Sequence, residues 1–221
     1  MLAGIPPIGT RTAMLTPDTL LVFFAASVAL AVAPGPDNLF VLTQSALHGR
    51  MAGWLVTLGL CSGLVVHTAA VALGVAAVFQ TSALAFNLLK WVGAAYLIYL
   101  AWGAWRAGAS ALPEGEREPL GARALYLRGI VMNVTNPKVA IFFLAFLPQF
   151  ADPARGPVAG QILLLGGVFM LAALLVFGAI AWAAGHIGHW LRGSPRAQVT
   201  MNRVAAGVFV ALAGRLALSS R

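Results

Sequence analysis

Residues 158 to 185 run without a single charged side chain, and comparable apolar stretches recur along the chain. A helix needs ~20 such residues to cross ~30 Å of hydrocarbon at ~1.5 Å per residue. These runs therefore dictate a membrane protein. Composition agrees, with 60% hydrophobic and 9% charged residues and a mean hydropathy of +0.88. The runs are continuous rather than alternating, which argues for helices and against a barrel of strands. The predicted class is an all-α integral membrane protein.

Gly, Pro and charge punctuation predict about six spans, roughly 17 to 48, 52 to 79, 86 to 106, 127 to 150, 158 to 185 and 203 to 219. A single domain, 16 to 221, holds them. The hydrophilic stretch from Ala107 to Ala124, with Glu114, Glu116, Arg117, Glu118 and Arg123, divides it into repeat one (about 16 to 106) and repeat two (about 127 to 219), joined by a loop at 107 to 126. Residues 1 to 15 read as a loose tail with a poor signal-peptide pattern, and Met14 is an alternative start.

The net charge of +8 reads as loop bias rather than a nucleic-acid surface, because no soluble basic domain is left to carry one. With both termini outside, inner loops hold eight cations (Arg50, Arg106, Arg117, Arg123, Arg128, Arg192, Arg196 and Arg203) and outer ones five (Arg11, Lys90, Arg155, Arg215 and Arg221). The positive-inside rule therefore favours termini outside. Trp102 and Trp105 beside Arg106, and Trp91 beside Lys90, fit interfacial anchors. The lone Cys61 permits no intrachain disulfide.

Each half opens with a proline-interrupted span, "APGPDN" at 33 to 38 and "TNPKVA" at 135 to 140. Three spans per half is an odd number, so the second copy enters from the opposite side as an inverted repeat, a transporter pattern. Pro34 and Pro36 lack N–H groups and Gly35 frees the backbone, so peptide groups at the break lose helical partners. At bilayer depth such groups must face protein, water or a cavity. Asp37 and Asn38 open the next half-helix, whose positive end attracts an anion. Thr43, Gln44 and Ser45 follow on it.

A carboxylate at that depth costs a few kcal/mol unless partnered. Lys138 is the obvious partner, and three arrangements stay open: a direct pair with Asp37, separate capture of a substrate's carboxylate and amine, or Lys138 stabilising carbonyls at the break. Asn133, Thr135 and Asn136 cluster at the second break. His67 falls mid-span, as a packing histidine or a proton relay, and Gly59 with Gly63 reads as helix packing. No second membrane aspartate or His-Glu-x-x-His motif supports an enzyme, and nothing calls for a cofactor or a metal site.

"TPDTLLVFFAASVALAVAPGPDNLFVLTQSALHGRMAGW", "GAAYLIYL", "GIVMNVTNPKVAIFFLAFLPQF" and the "FLPQF" within it together resemble the LysE/RhtB family of bacterial amino-acid exporters over residues 14 to 218. The resemblance implies inner-membrane efflux of amino acids or related small metabolites, driven by the proton-motive force. It places the motif on Pro34, Gly35, Pro36, Asp37, Asn136, Pro137 and Lys138, and Asn is frequent in the family where this chain has Asp37. The expected mechanism is alternating access, with Asp37 and Asn38 recognising the ammonium group, Lys138 the carboxylate, and Asp37 or His67 coupling protons. The expected partners are the substrate, protons and lipid, with Gly-rich faces available for a homodimer. A metal-cation exporter and a non-transporting scaffold are the rival readings.

Overall fold

A computed structural model describes residues 14–33, 35–81, 83–107, 120–193 and 195–218. The N-terminal tail through residue 13, Pro34 and most of the predicted hydrophilic loop (108–119) lie outside the described residues. Every long element is helical: α1 Pro17–Val32, α2 Pro36–His48, α3 Arg50–Thr81, α4 Ala83–Arg106, α5 Ala122–Val134, α6 Pro137–Ile141, α7 Val158–Gly193 and α8 Pro195–Leu218. Among the described residues three helices are long and apolar enough to cross a membrane, and five spans result if each of two bent pairs counts as one. The bent pairs are α1 with α2, at 62°, and α5 with the segment from Pro137 to Phe150, at 49°. Helix α4, the third expected span, is not among those five, although its 24 residues would reach ~36 Å.

Proline chemistry sets both bends. Pro36 and Pro137 each occupy the first turn of the following helix, where a missing N–H costs nothing. The residue ahead of each is extended, as steric crowding by the proline ring demands: Gly35 at φ −172°, ψ 176° and Asn136 at φ −75°, ψ 109°. At the entrance to α1, Thr16 accepts the Thr19 N–H on its hydroxyl at 3.2 Å, with Pro17 in the first turn. Gly49, at φ +84°, supplies the left-handed turn from α2 into α3.

Two boundaries differ from expectation. Helix α7 continues past residue 185 to Gly193, and α8 begins at Pro195 rather than near 203. Membrane-length reasoning stops a span where charges begin, but Arg192, Arg196 and Gln198 are good helix formers once outside hydrocarbon. After α6 the chain also changes pitch, through a π-helical turn Phe142–Phe146 and a 3-10 turn Leu147–Phe150.

Helices α3 and α7 pack on each other and form the centre. α5 lies on α3, α1 on α7, and α2 in contact with both, while α4 pairs with α8. The α3–α5 crossing is very close. A Cβ on Gly59 would collide with the Tyr126 carbonyl, and one on Gly129 would lie 2.5 Å from the Val56 carbonyl oxygen. The glycine pair read as packing does just that: a Cβ on Gly63 would meet Asn133 Cβ at 2.7 Å. The π turn carries Phe142, Phe143 and Phe146 into a buried aromatic cluster with Phe23, Phe150 and Phe169, ring centroids 4.8 to 6.4 Å apart.

Large apolar side chains also face outward, Leu73 and Leu84 at 79% and Trp182 at 73% exposure, as suits a lipid solvent. The Arg106 guanidinium sits 4.2 Å from the Trp102 ring, that of Arg203 5.4 Å from Trp105, and the Lys90 ammonium 5.2 Å from Trp91.

Candidate functional site

The two proline breaks meet. Lys138, second residue of α6, reaches across to the C-terminal end of α1 and donates from Nζ to the carbonyls of Ala33 at 3.0 Å and Leu30 at 3.2 Å. Those carbonyls are the ones a helix end leaves without partners, and they carry the negative end of its dipole. Asn38, one residue past Asp37, satisfies a third by donating from Nδ2 to the Ala31 carbonyl at 2.6 Å. Gly35 makes room for this crossing, since a Cβ there would stand 3.1 Å from Lys138 Nζ.

The second break is closed in a parallel way. Asn136 accepts the Lys138 backbone N–H on Oδ1 at 3.0 Å and so caps α6. Thr135 donates its hydroxyl to the Val131 carbonyl at 2.7 Å. His67 on α3 donates from Nε2 to the Asn133 carbonyl at 3.1 Å, which fixes the proton on that nitrogen, while its ring lies 5.6 Å from Phe143. The histidine thus packs at the end of α5, within electrostatic reach of Asp37.

Asp37 is 2% exposed and Lys138 9%. Lys138, Asn136, Asn133 and His67 are the polar side chains that face the Asp37 carboxyl. Among the described residues, however, the only ion pair within 4 Å is Arg155 with Asp152, at 3.3 Å. Of the three arrangements open for Lys138, the structure realises the third: its ammonium is engaged by carbonyls at the break. The two groups, of opposite sign when ionised, are thus buried at the joined breaks without direct contact.

Opposite sign does not by itself satisfy hydrogen bonds. Among the described residues, five buried side-chain atoms lack any partner: Asp37 Oδ1, Asn38 Oδ1, Gln44 Oε1, Asn133 Oδ1 and Asn136 Nδ2. Four of the five belong to residues at the breaks. For Asn38 and Asn136 the opposite end of the amide is already bonded, which leaves an acceptor on the first and a donor on the second. Buried polar atoms without a partner are uncommon in folded interiors, and here four of them gather at one locus.

The sequence-predicted residues Gly35, Asp37, Asn38, Asn136 and Lys138 are therefore gathered at one locus. Pro36 and Pro137 shape it from the backbone, and His67 reaches it through Asn133. Pro34 lies outside the described residues. Sequence reasoning named carbonyls at the break as one of the places Lys138 could settle but did not number Leu30 and Ala33, because any residue type carries a carbonyl and only the approaching prolines signal that these lose their partners. It missed the buried aromatic cluster that follows α6 as well, though "FFLAF" was there to suggest it.

Residues 28–220 match the sequence profile of the LysE type translocator. The chain belongs to this family. Among its relatives, the homoserine/homoserine lactone efflux protein of Salmonella typhimurium is 33% identical over 90% of this chain and 95% of its own length. An uncharacterized membrane protein of Vibrio cholerae is 34% identical over 86% of this chain and 92% of its own. The leucine efflux protein of an Enterobacter species is 29% identical over 85% and 90%. No solved structure matches significantly. The site described here thus lies within a translocator of this family, whose relatives include amino-acid efflux proteins.

Proposed function

We propose that this LysE-type translocator exports amino acids or closely related small metabolites across the bacterial inner membrane, powered by the proton-motive force. Movement is by alternating access around the joined breaks. The observation that carries the reading is the set of unpartnered polar atoms there, acceptors on Asp37, Asn38 and Asn133 and a donor on Asn136, beside a buried ammonium and carboxyl of opposite charge. A zwitterion offers the complementary groups at matching valence.

Two further observations support it. The packing pattern is what inverted repeats would exchange: α3 with α5 answers α7 with α1, while α3 with α7 and α4 with α8 map onto themselves. The relatives named for homoserine, homoserine lactone and leucine efflux handle ligands that share an amine on a small body. Protons are assigned to Asp37 and His67, the titratable pair nearest the site other than Lys138, and both termini are assigned to the outer side.

The test is efflux from proteoliposomes preloaded with labelled homoserine or leucine, under an imposed proton gradient. Faster efflux than from empty liposomes, accelerated by the gradient, is the expected result. Gradient-independent efflux removes the proton coupling, and no efflux of any amino acid removes the exporter reading in favour of a scaffold.

A further inference from the structure

We infer that the Lys138 ammonium is a tethered stand-in for the substrate's own ammonium, resting in the place that group takes during transport and withdrawing to bind the carboxylate. The inference rests on the exporter reading above and specifies how its site recognises a ligand.

Chemical identity is the starting point. The Lys138 head group and the α-ammonium of an amino acid are both –NH3+, with three donors and no acceptor. The Lys138 group sits on the Ala33 and Leu30 carbonyls at 3.0 and 3.2 Å, at the negative end of α1. The neighbouring unpartnered acceptors, Asp37 Oδ1 and Asn38 Oδ1, suit the same kind of donor. A cluster of acceptors in hydrocarbon is costly when unpartnered, and a resident ammonium makes it tolerable between transport cycles.

An arriving zwitterion can exchange with it at no net change in charge. Its ammonium takes the Ala33 and Leu30 carbonyls with Asp37, and the four-carbon Lys138 side chain swings toward the incoming carboxylate. That carboxylate also finds the unpartnered Asn136 Nδ2, held in place because Asn136 Oδ1 is bonded to the Lys138 backbone. A ligand with an ammonium and no carboxylate would leave the displaced lysine unpaired, so Lys138 selects zwitterions over simple amines.

The experiment compares wild type, Lys138→Met and Lys138→Arg in proteoliposomes. It uses homoserine or leucine, whichever the wild type exports faster, and the carboxamide of the same amino acid at a pH that keeps its amine charged. Lys138→Met should lower amino-acid efflux at least tenfold while carboxamide efflux holds or rises, shifting the ratio by tenfold or more, and Lys138→Arg should keep the wild-type preference. Equal loss of both probes by Lys138→Met, with the ratio within twofold of wild type, would overturn the inference and leave Lys138 as a cap on α1, the exporter reading intact. A wild type that exports neither probe nor any other amino acid defeats the exporter reading itself. Should Lys138→Met not assemble, Lys138→Gln serves: its amide can still donate to the Ala33 and Leu30 carbonyls but carries no charge to pair with a carboxylate, so the ratio of amino-acid to carboxamide efflux should again fall tenfold or more. A ratio within twofold of wild type refutes the idea.

Discussion

Substituting Gly129 by Ala tests the α3–α5 crossing directly. The added Cβ would meet three backbone atoms, Val56 O at 2.5 Å, Leu60 N at 3.0 Å and Gly59 Cα at 3.1 Å, none of which can rotate away. Relief requires the helices to part by roughly 1 Å, an overpacking cost of about 1–3 kcal/mol. Alanine also gains up to ~1 kcal/mol of helix propensity over glycine. The control is therefore Gly167→Ala in α7, where a new Cβ meets nothing within 4 Å. Propensity is common to both variants, so the gap between them isolates packing. At ~2–4 °C per kcal/mol for a chain of this size, Gly129→Ala should melt ~2–12 °C below Gly167→Ala in the same detergent. Transport should fall with it, because Asn133, one turn further along α5, presents its carbonyl to His67 across that crossing. If the two variants melt within a degree of each other, the reasoning from close approach fails.

Asn136→Ala removes the cap on α6 and should cost about 1 kcal/mol in melting experiments, most of it restored by Asn136→Ser, whereas efflux should recover less because serine lacks the amide donor. His67→Leu removes one donor from the Asn133 carbonyl, which keeps the Asn136 N–H at 3.0 Å, and should destabilise by about 0.5–1.5 kcal/mol, whereas His67→Gln retains a donor. If His67→Gln also keeps gradient-driven efflux at the wild-type rate, His67 is a packing residue and proton coupling falls to Asp37 alone.

The membrane character, both breaks and the approach of Lys138 to the first break were legible because proline and intramembrane charge act through strong local rules. Pro36 and Pro137 force helix starts whatever surrounds them, and a buried lysine must find oxygen atoms. What it finds was not legible. Lys138 settles on carbonyls rather than on Asp37, a choice made by the position of the α1 terminus in space and by the absent side chain of Gly35. The π turn at Phe142–Phe146 was hidden because its residues are ordinary helix interior; it carries Phe142 and Phe143 onto Phe23 and Phe169. The extension of α7 to Gly193 and the start of α8 at Pro195 were missed because apolar length predicts where lipid ends, and a helix can continue beyond that point.

The bond from Lys138 to Leu30 spans 108 positions of sequence. During synthesis, the first bent span leaves the ribosome long before its completing residue exists. Until then its exposed carbonyls must be shielded by water or by the insertion machinery, since hydrocarbon offers them nothing. The N-terminal half is therefore a waiting partner rather than a finished unit. A chain truncated ahead of residue 138 should remain open to degradation, and co-expression of the missing half should rescue it.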